Sequence, residues 1–384
     1  MQAASNLLKP RRPTRAIFVG RVQVGGGAPV SVQSMTNTDT CDIGRTLAQI
    51  ERLVKAGCEI VRLAVPNKKA VKAFGEIRAA CTVPLIADIH FNHQLALGAL
   101  EAGADAVRIN PGNLGGAAKT RPVVEACREL GKSLRLGVNA GSLEADLMEQ
   151  YGGPTPQALA ASALRWIRQF EDWKFDNFKI SLKASDVLVT VAAYRQLAQE
   201  VDYPLHIGVT EAGGLIAGTV KSALGLGWLL SEGIGDTMRV SLTRDPVEEV
   251  RVAYEILRAL HLRERGPEII SCPTCGRCQI DLFRLAEEVE KRLMYLTTPI
   301  KVAIMGCVVN GPGEAREADV GIAGGKGVGA LIKKGELVRT VPEGELLQTL
   351  LREVAELTGE EVEGVELGEA NRTAEKQEKT GGSS

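Results

Sequence analysis

The sequence predicts an α/β fold in two parts: a (β/α)8 barrel over residues 1–264 and a smaller α+β domain over residues 265–360. Between about residues 30 and 260, a short apolar run rich in β-branched residues, followed by an amphipathic helical stretch, recurs eight times. Parallel strands joined by helical crossovers give this pattern. Eight units favour a closed barrel over a doubly wound open sheet, which is the alternative. The repeat stops at a polar Gly-Pro segment, residues 264–268.

The elements follow from that periodicity. We predict barrel strands at residues 30–33, 60–65, 85–89, 106–109, 133–138, 178–182, 205–209 and 237–240. We predict helices at residues 46–56, 71–80, 93–102, 122–130, 158–173, 187–200, 215–231 and 247–260. In the second domain we predict helices at 282–293 and 343–357 and strands at 300–305 and 319–323. The charged segment 361–384, which ends Thr-Gly-Gly-Ser-Ser, is predicted to be a disordered tail.

The overall charge is close to balanced, with 46 basic and 47 acidic residues among 384. It gives no reason to expect nucleic acid or a membrane surface as partner. The sequence has no secretory signal and no apolar run long enough for a membrane span, so we expect a cytosolic protein. In that reducing compartment a Cys-x-x-Cys spacing indicates metal or redox chemistry rather than a disulfide. Four other cysteines are scattered, and we predict that two of them, Cys58 and Cys127, are core residues.

Polar side chains gather where the predicted barrel strands end, which in a barrel is the mouth that carries function. The basic members of this group are Arg62, Arg108, Arg135, Lys183 and Arg239. The others are Asp88, His90, Asn110, Asn139, Ser181, Thr210, Glu211 and Ser241. So many cations predict a multiply charged anion, such as a diphosphate. The alternative is that some are interior ion pairs, with Asp88 and Glu211 neutralising Arg62 or Arg108.

Four cysteines cluster in the second domain and allow two ligand sets. Cys272, Cys275, Cys278 and Cys307 would form a closed four-thiolate site for an iron–sulfur cluster or zinc. Alternatively, Cys272, Cys275 and Cys307 hold three irons, and Glu314 supplies an oxygen ligand that a substrate can displace. The spacing does not choose between these sets.

The glycine-rich segment 324–329 is unlike a nucleotide-binding loop, because it lacks a Gly-Lys-Ser/Thr sequence and follows no first strand of a dinucleotide fold. We predict a turn that connects two strands.

The cysteine segments carry a specific resemblance. Ser-Cys-Pro-Thr-Cys-Gly-Arg at 271–277 and Met-Gly-Cys-Val-Val-Asn-Gly-Pro-Gly-Glu at 305–314 resemble the 4-hydroxy-3-methylbut-2-enyl diphosphate synthase family. Further matching segments lie at residues 32–38, 86–91, 108–113, 137–143 and 208–213. The resemblance covers roughly residues 14–360 and is to the short two-domain bacterial form.

This resemblance implies a TIM barrel joined to a [4Fe–4S] domain, in a head-to-tail homodimer whose cluster domain closes over the partner's barrel. It implies reductive ring opening and dehydroxylation of 2-C-methyl-D-erythritol 2,4-cyclodiphosphate in the methylerythritol phosphate route to isoprenoids. Two electrons would come from flavodoxin or ferredoxin. It also implies that Cys272, Cys275, Cys307 and Glu314 hold the cluster and that Cys278 does not.

The resemblance also implies roles for the polar residues at the barrel mouth. Arg62, Arg108, Arg135 and Lys183 would bind the diphosphate and make it a better leaving group. His90 and Asn139 would hydrogen-bond the substrate, and Asn310 would reach it from the cluster side. Glu211 is the candidate acid–base residue, and Glu314 marks the iron at which the substrate oxygen binds.

Two other classes of protein are also consistent with the residues alone. One is a pterin-dependent transferase-like barrel with a structural zinc module. The other is an electron carrier with an all-cysteine cluster, which leaves the cationic barrel mouth unexplained.

Overall fold

The structure is a computed structural model that describes residues 7–307, 313 and 315–365. The chain divides into two compact units, Met1–Glu264 and Arg265–Ser384. Of the predicted disordered tail, residues 366–384 lie outside the described residues. Among the described residues, no helix combines the length and the apolar character that crossing a membrane requires.

The first unit is a parallel eight-stranded barrel, which confirms the predicted fold class. Its strands are β3 Ser31–Met35, β4 Ile60–Ala64, β5 Leu85–Asp88, β6 Ala106–Ile109, β7 Ser133–Asn139, β8 Phe178–Lys183, β9 His206–Ile207 and β10 Thr237–Met238. They pair in the order β8-β7-β6-β5-β4-β3-β10-β9, and a parallel bridge between Ile180 and Leu205 joins the two ends. The last two strands are shorter than predicted.

The barrel helices surround these strands. They are α1 Ile43–Lys55, α2 Lys68–Ala80, α3 His93–Glu101, α4 Pro111–Leu114, α5 Ala117–Glu129, α6 Ala145–Tyr151, α7 Pro156–Asp172, α8 Val187–Glu200, α9 Leu215–Ser231 and α10 Pro246–Ala259. Their buried aliphatic and aromatic side chains pack against the outward residues of the strands in one continuous core.

Side-chain caps explain why two helices begin earlier than predicted. Asp42 accepts a hydrogen bond from the Arg45 amide at the start of α1, and Asn67 accepts one from the Ala70 amide at the start of α2. Each cap satisfies an amide that the first turn leaves without a helical partner. Hydrophobic periodicity alone placed both starts three residues too late.

The predicted start of α5 was wrong for a different reason. We placed Pro122 at the first helical position, where proline is common, but the helix begins at Ala117 after the left-handed residue Gly116. Pro122 therefore lies inside the helix. The short helices α4 and α6 were not predicted, because four and seven residues are too few to show a periodicity.

An antiparallel hairpin closes the N-terminal end of the barrel. Its strands are β1 Ile17–Val19 and β2 Val22–Val24. Ile17, Val19 and Val24 form a buried cluster with residues of β4, β5 and β6. This apolar plug leaves the opposite, C-terminal mouth as the open end of the barrel.

Within its described residues, the second unit has a five-stranded sheet and two α-helices of three or more turns. The strands are β11 Pro267–Ser271, β12 Ile300–Met305, β13 Val320–Gly324, β14 Val328–Lys333 and β15 Glu336–Pro342, paired in chain order. The first three are parallel and the last two pairings are antiparallel. Helices α11 Leu282–Leu293 and α12 Leu346–Thr358 share a buried apolar core with the sheet.

Two sequence predictions in this unit had different outcomes. The glycine-rich segment does connect two strands, β13 and β14. The hinge placed at residues 264–268 was partly wrong, since β11 begins at Pro267. Strand β11 is only half-buried, so it lacks the apolar run that marks the other parallel strands.

Candidate active site

Asp88 lies at the end of β5 and is the centre of an ion-pair network at the barrel mouth. Arg108 Nη1 donates to Asp88 Oδ1 at 3.2 Å. Arg62 Nε lies 3.6 Å and His90 Nε2 3.4 Å from Asp88 Oδ2. Burial raises the pKa of Asp88, but Arg62, the His90 hydrogen bond and Arg108 outweigh it and lower that pKa well below its usual range. Asp88 is therefore a buried, ionised carboxylate.

Three arginines on nearby strands of the barrel project toward its interior. Arg62, Arg108 and Arg135 lie on β4, β6 and β7, and Arg108 and Arg135 are register partners. Because side chains alternate across a strand, these positions all face the barrel interior. All three arginines are buried. Burial lowers the pKa of Arg62 to about 10, with Asp88 opposing and Arg239 and Arg108 adding to the shift.

Arg135 has one neutral partner among the described residues. Its Nε donates to Ser181 Oγ at 3.0 Å, and neither terminal nitrogen has a hydrogen-bond partner there. Burial, Arg62 and Arg108 lower the pKa of Arg135. A guanidinium keeps its proton under such conditions. Arg135 is therefore a buried positive charge with donors available for a ligand.

Lys183 and Asn139 are partners in the pairing of β7 with β8, at the mouth. Burial and the charges of Arg62, Arg135, Arg108 and Arg239 lower the pKa of Lys183 well below its ordinary value. Asn139 Oδ1 accepts a hydrogen bond from Arg108 Nη2 at 3.4 Å. The structure thus brings together the predicted residues Arg62, His90, Arg108, Arg135, Asn139 and Lys183 at one end of the barrel.

Glu211 follows β9 and differs from Asp88. It is exposed, and its backbone adopts a left-handed conformation with φ of 54°. This conformation is uncommon for a residue with a side chain and is found at functional turns. Glu211 forms no ion pair within the described part of the chain, so the alternative that it neutralises Arg62 or Arg108 is wrong.

Glu249, a buried glutamate on α10, was not predicted as a site residue from the sequence. Its carboxylate accepts hydrogen bonds from Ser34 Oγ at 2.9 Å, from the Leu242 amide at 3.1 Å and from Arg239 at 3.2 Å. The sequence does contain a sign of its burial: Glu249 lies on the same helical face as the buried residues Ala253 and Ile256. A lone acid on a buried stripe indicates a polar partner inside the fold.

Lys179 and His206 were also missed. Lys179 is the register partner of Arg135, and His206 is the register partner of Thr237. Both are buried, and Lys179 Nζ and His206 Nδ1 have no hydrogen-bond partner among the described residues. The alternation of Lys179, Ser181 and Lys183 with Phe178, Ile180 and Leu182 could have identified the inner face of β8.

The cysteines of the second unit lie beyond two neighbouring parallel strands. Cys272 follows β11 and Cys307 comes two residues after β12, with Ser271 and Ile304 as register partners. The Gly306 amide donates to Cys272 Sγ at 3.3 Å. A side chain at Gly306 would lie 2.6 Å from Cys278 Sγ. The strand ends therefore bring Cys272, Cys278 and the residue before Cys307 close together.

Cys275 is exposed at the tip of the intervening turn, which is closed by a hydrogen bond from the Cys278 amide to the Cys275 carbonyl at 2.9 Å. Hydrogen bonds from the amide and side chain of Arg277 lower the pKa of Cys275. Within the described ranges, no group of three or more His, Cys, Asp or Glu side chains is arranged to hold a metal ion. The predicted residues Asn310 and Glu314 lie outside the described residues.

Comparison with known families decides what these two units are. Residues 14–254 match the family model of the GcpE TIM-barrel domain, and residues 268–356 match that of the GcpE protein C-terminal domain. The chain belongs to the GcpE family.

Two relatives of this chain are similar to it over nearly their whole length. A protein of Desulfotalea psychrophila is 60% identical over 91% of this chain and 97% of its own length. One from Geobacter sulfurreducens is 60% identical over 90% of this chain and 98% of its own. Both are named 4-hydroxy-3-methylbut-2-en-1-yl diphosphate synthase (flavodoxin).

The GcpE barrel also resembles a solved structure of dihydropteroate synthase from Yersinia pestis. That likeness covers 64% of this chain and 97% of the other, at 13% identity and a TM-score of 0.46. Similarity at this level carries no functional argument.

Proposed function

We propose that this chain catalyses the reductive ring opening and dehydroxylation of 2-C-methyl-D-erythritol 2,4-cyclodiphosphate. The product is 4-hydroxy-3-methylbut-2-enyl diphosphate, in the methylerythritol phosphate route to isoprenoids. The observation that carries the proposal is the group of basic side chains at the barrel mouth, the buried Arg62, Arg108 and Arg135 and the partly exposed Lys183. The names of relatives 60% identical to this chain support it.

The charge at the barrel mouth suits a diphosphate. Asp88 is shared among Arg62, Arg108 and His90, and Arg135 is bonded to a neutral serine. The positive charge of the arginines is fixed before the substrate arrives, so little reorganisation is needed when charge develops on the leaving phosphate oxygen. Asn139 and His90 supply hydrogen bonds at the edge of the same group.

The cysteine segment suits an iron–sulfur cluster. The amide–sulfur bond at Cys272 and the lowered pKa of Cys275 both favour thiolate ligands. We propose that Cys272, Cys275, Cys307 and Glu314 hold a [4Fe–4S] cluster, which when bound would pass on electrons from the external donor one at a time and offer a Lewis-acidic iron. Cys278 Sγ donates to the Ile280 carbonyl at 3.3 Å, which supports its assignment as a protonated thiol outside the ligand set.

Glu211 is the proposed proton donor to the C3 oxygen that leaves as water. Its exposed position beyond β9 leaves the carboxyl group available to a substrate in the barrel mouth. Asn310 is proposed to bind the substrate as well. The family resemblance alone supports the role of Asn310.

Two partners belong to the proposal. Flavodoxin, which appears in the relatives' names, or ferredoxin would deliver the electrons. A second copy of the chain would complete a head-to-tail homodimer. The cytosolic location remains a prediction from the sequence.

The test uses anaerobically purified protein with its cluster intact. The protein is reduced with dithionite and mixed with the cyclodiphosphate, and the EPR spectrum and the diphosphate product are recorded. We expect a new signal that depends on substrate, together with the butenyl diphosphate. A signal indifferent to substrate, without product, would favour the all-cysteine electron carrier instead.

A further inference from the structure

The inside of the barrel holds many more cations than anions. Among the described residues, six basic side chains point into it: Arg62, Arg108, Arg135, Lys179, Lys183 and Arg239. The carboxylates that the structure places among them, within the described residues, are Asp88 and Glu249. A barrel interior is normally filled with aliphatic side chains. This excess of positive charge must be met by a ligand or reduced by loss of protons.

Both carboxylates are already engaged. Asp88 pairs with Arg62, Arg108 and His90. Glu249 is bonded to Arg239 and to Ser34. Neither of them forms a hydrogen bond with Arg135 or the two lysines. The charges on β7 and β8 are therefore the uncompensated ones.

Lys179 lies deeper in the barrel than Lys183. It is four residues nearer than Lys183 to the N-terminal end of β8, about 13 Å along the strand. Its ammonium group has no hydrogen-bond partner among the described residues and sits beside Arg135, whose terminal nitrogens also have none. A buried, unpaired charge is costly, and the group usually becomes neutral instead.

Among these basic side chains, the lysines are the ones that can become neutral by losing a proton. Arginine keeps its proton in proteins, whereas a buried lysine releases one readily. Burial, Arg135 and Arg62 lower the pKa of Lys179 to about 7. Burial and four arginines lower that of Lys183 as well. The free protein therefore holds Lys179 largely neutral above pH 7, and Lys183 loses its proton more readily than an exposed lysine does.

We propose that binding of the cyclic diphosphate at the barrel mouth is coupled to proton uptake by Lys179, inside the barrel, and by Lys183, at its mouth, so that these lysines become charged when the anion arrives. The proposal rests on the proposed function and adds Lys179 to the substrate-responsive groups. Each phosphorus of a cyclic diphosphate carries a single strongly acidic hydroxyl. The substrate is thus a dianion throughout the neutral range and takes up no proton itself.

The neighbours of the two lysines do not replace them in this role. The charged or titratable groups on the elements around them are Arg62, Asp88, Arg108, Arg135, Tyr194, His206, Arg239 and Glu249. Burial and nearby cations lower the pKa of His206 well below its ordinary value, and burial raises the pKa of Tyr194. Both are neutral at pH 8, and Asp88 stays ionised.

The direction in which affinity changes with pH follows from the pKa shifts of the lysines. Well below pH 7 Lys179 is already protonated and takes up nothing on binding. Above pH 7 each proton taken up weakens binding by about tenfold per pH unit, until the pKa in the complex is reached. Affinity for the dianion should therefore fall as pH rises from 7 to 9.

Isothermal titration calorimetry tests this directly. The oxidised holoprotein, without reductant, is titrated with the cyclodiphosphate at pH 8 in buffers of different ionisation enthalpy. We expect the binding enthalpy to vary with the buffer, with a slope of about one proton or more per site. Lys179→Met should lower the slope by about one proton, because methionine fills the same space without a titratable group. Lys72→Met, on the exposed face of α2, is the matched control and should leave it unchanged.

The outcomes separate the inference from the proposed function. Binding whose enthalpy is the same in every buffer overturns the coupling but leaves the substrate assignment intact. Proton uptake that persists in full in Lys179→Met overturns the assignment to Lys179. The absence of any binding contradicts the proposed function itself.

Discussion

At the scale of single residues, Asp88 shows how one carboxylate organises the site. It holds Arg62, Arg108 and His90 within 3.6 Å and is itself buried. A buried carboxylate with these partners fixes the arginines in place before a ligand binds. Its removal would leave two buried guanidinium groups without their counter-charge.

We expect Asp88→Asn to lower the free energy of unfolding by about 3–5 kcal/mol at pH 7, since one partner of a buried ion pair is lost. The folded-state pKa of Asp88 is depressed. Its stabilisation is therefore present above the unfolded pKa of about 4 and is lost as pH falls below that value. Urea unfolding from pH 7 to pH 3 checks this: the difference between wild type and variant should shrink toward acid pH. Asp172→Asn, at the exposed end of α7, is the control, and a difference independent of pH would contradict the assignment.

Glu211 gives a prediction about catalysis rather than stability. Because the side chain is exposed and makes no ion pair within the described residues, Glu211→Gln should fold normally. Loss of a general acid should lower kcat by about 10²–10⁴-fold with little change in KM. Steady-state kinetics with reduced electron donor measure both. Glu76→Gln, an exposed glutamate on α2, is the control; an unchanged kcat in Glu211→Gln would remove Glu211 from the proton transfer.

At the scale of elements, α10 contributes to the site through Glu249. The carboxylate links the helix to Ser34 on β3 and to Arg239 beyond β10, two neighbouring strands of the barrel. Arg239 lines the same cavity as Arg62 and Lys183. The helix therefore orients a side chain at the barrel mouth while it packs against β3 on the outside of the barrel.

Glu249→Gln should both destabilise the barrel and raise KM. The substitution keeps the shape but removes the charge that faces Arg239, which costs about 3–5 kcal/mol in a buried pair. Thermal unfolding and KM for the cyclodiphosphate are the measurements, and kcat at saturation should change less than KM. Glu255→Gln, whose pair with Arg258 is on the exposed side of α10, is the control. A lower melting temperature with an unchanged KM would limit Glu249 to a structural role.

The turn after β12 gives a prediction about the cysteine segment. A Cβ atom at Gly306 would lie 2.6 Å from Cys278 Sγ, while the Gly306 amide must still reach Cys272 Sγ. Gly306→Ala should therefore displace one of the two cysteines and lower the iron content after anaerobic reconstitution by more than half. Iron and sulfide analysis with visible absorption spectroscopy measures this. Gly344→Ala, whose Cβ would meet nothing within 4 Å, is the control, and full iron content in Gly306→Ala would show that the close approach is not required.

The elements also show how far the sequence could be interpreted. Strands β3 to β8 and helices α8, α9 and α11 were placed within a residue or two, because strong alternation or helical periodicity marks them. Helix starts at Asp42 and Asn67 were missed because a capping side chain, not an apolar residue, defines them. Glu249 and Lys179 were missed because their importance depends on which neighbours the barrel closure brings beside them.

At the scale of the whole molecule, the balanced net charge gives no indication of the cationic site. The chain has almost equal numbers of acidic and basic residues, yet its barrel interior is strongly cationic. The position of the charges along the strands, rather than their total, indicates the ligand. A balanced net charge gives no reason to expect a polyanionic surface partner and says nothing about an anion held inside.

The outer surface carries a feature that bears on assembly. Ile216, Val220, Leu224 and Trp228 recur every four residues along α9, and all four are exposed, Ile216 by 82%. A continuous apolar strip of this kind is more common at protein contacts than on monomers. It supports burial of α9 in the proposed homodimer.

We expect the double variant Val220→Lys/Leu224→Lys to dissociate that homodimer, because two charged side chains would have to be desolvated at the contact. Light scattering after size-exclusion chromatography should give twice the chain mass of 41.0 kDa for wild type and a single chain mass for the variant. Val54→Lys, an exposed apolar residue on α1 outside the strip, should remain dimeric. A double variant that keeps the wild-type mass would exclude α9 from the contact, and a monomeric wild type would contradict the homodimer. Because the barrel interior is independent of α9's outer face, the folded variant should still bind the cyclodiphosphate even where turnover is lost.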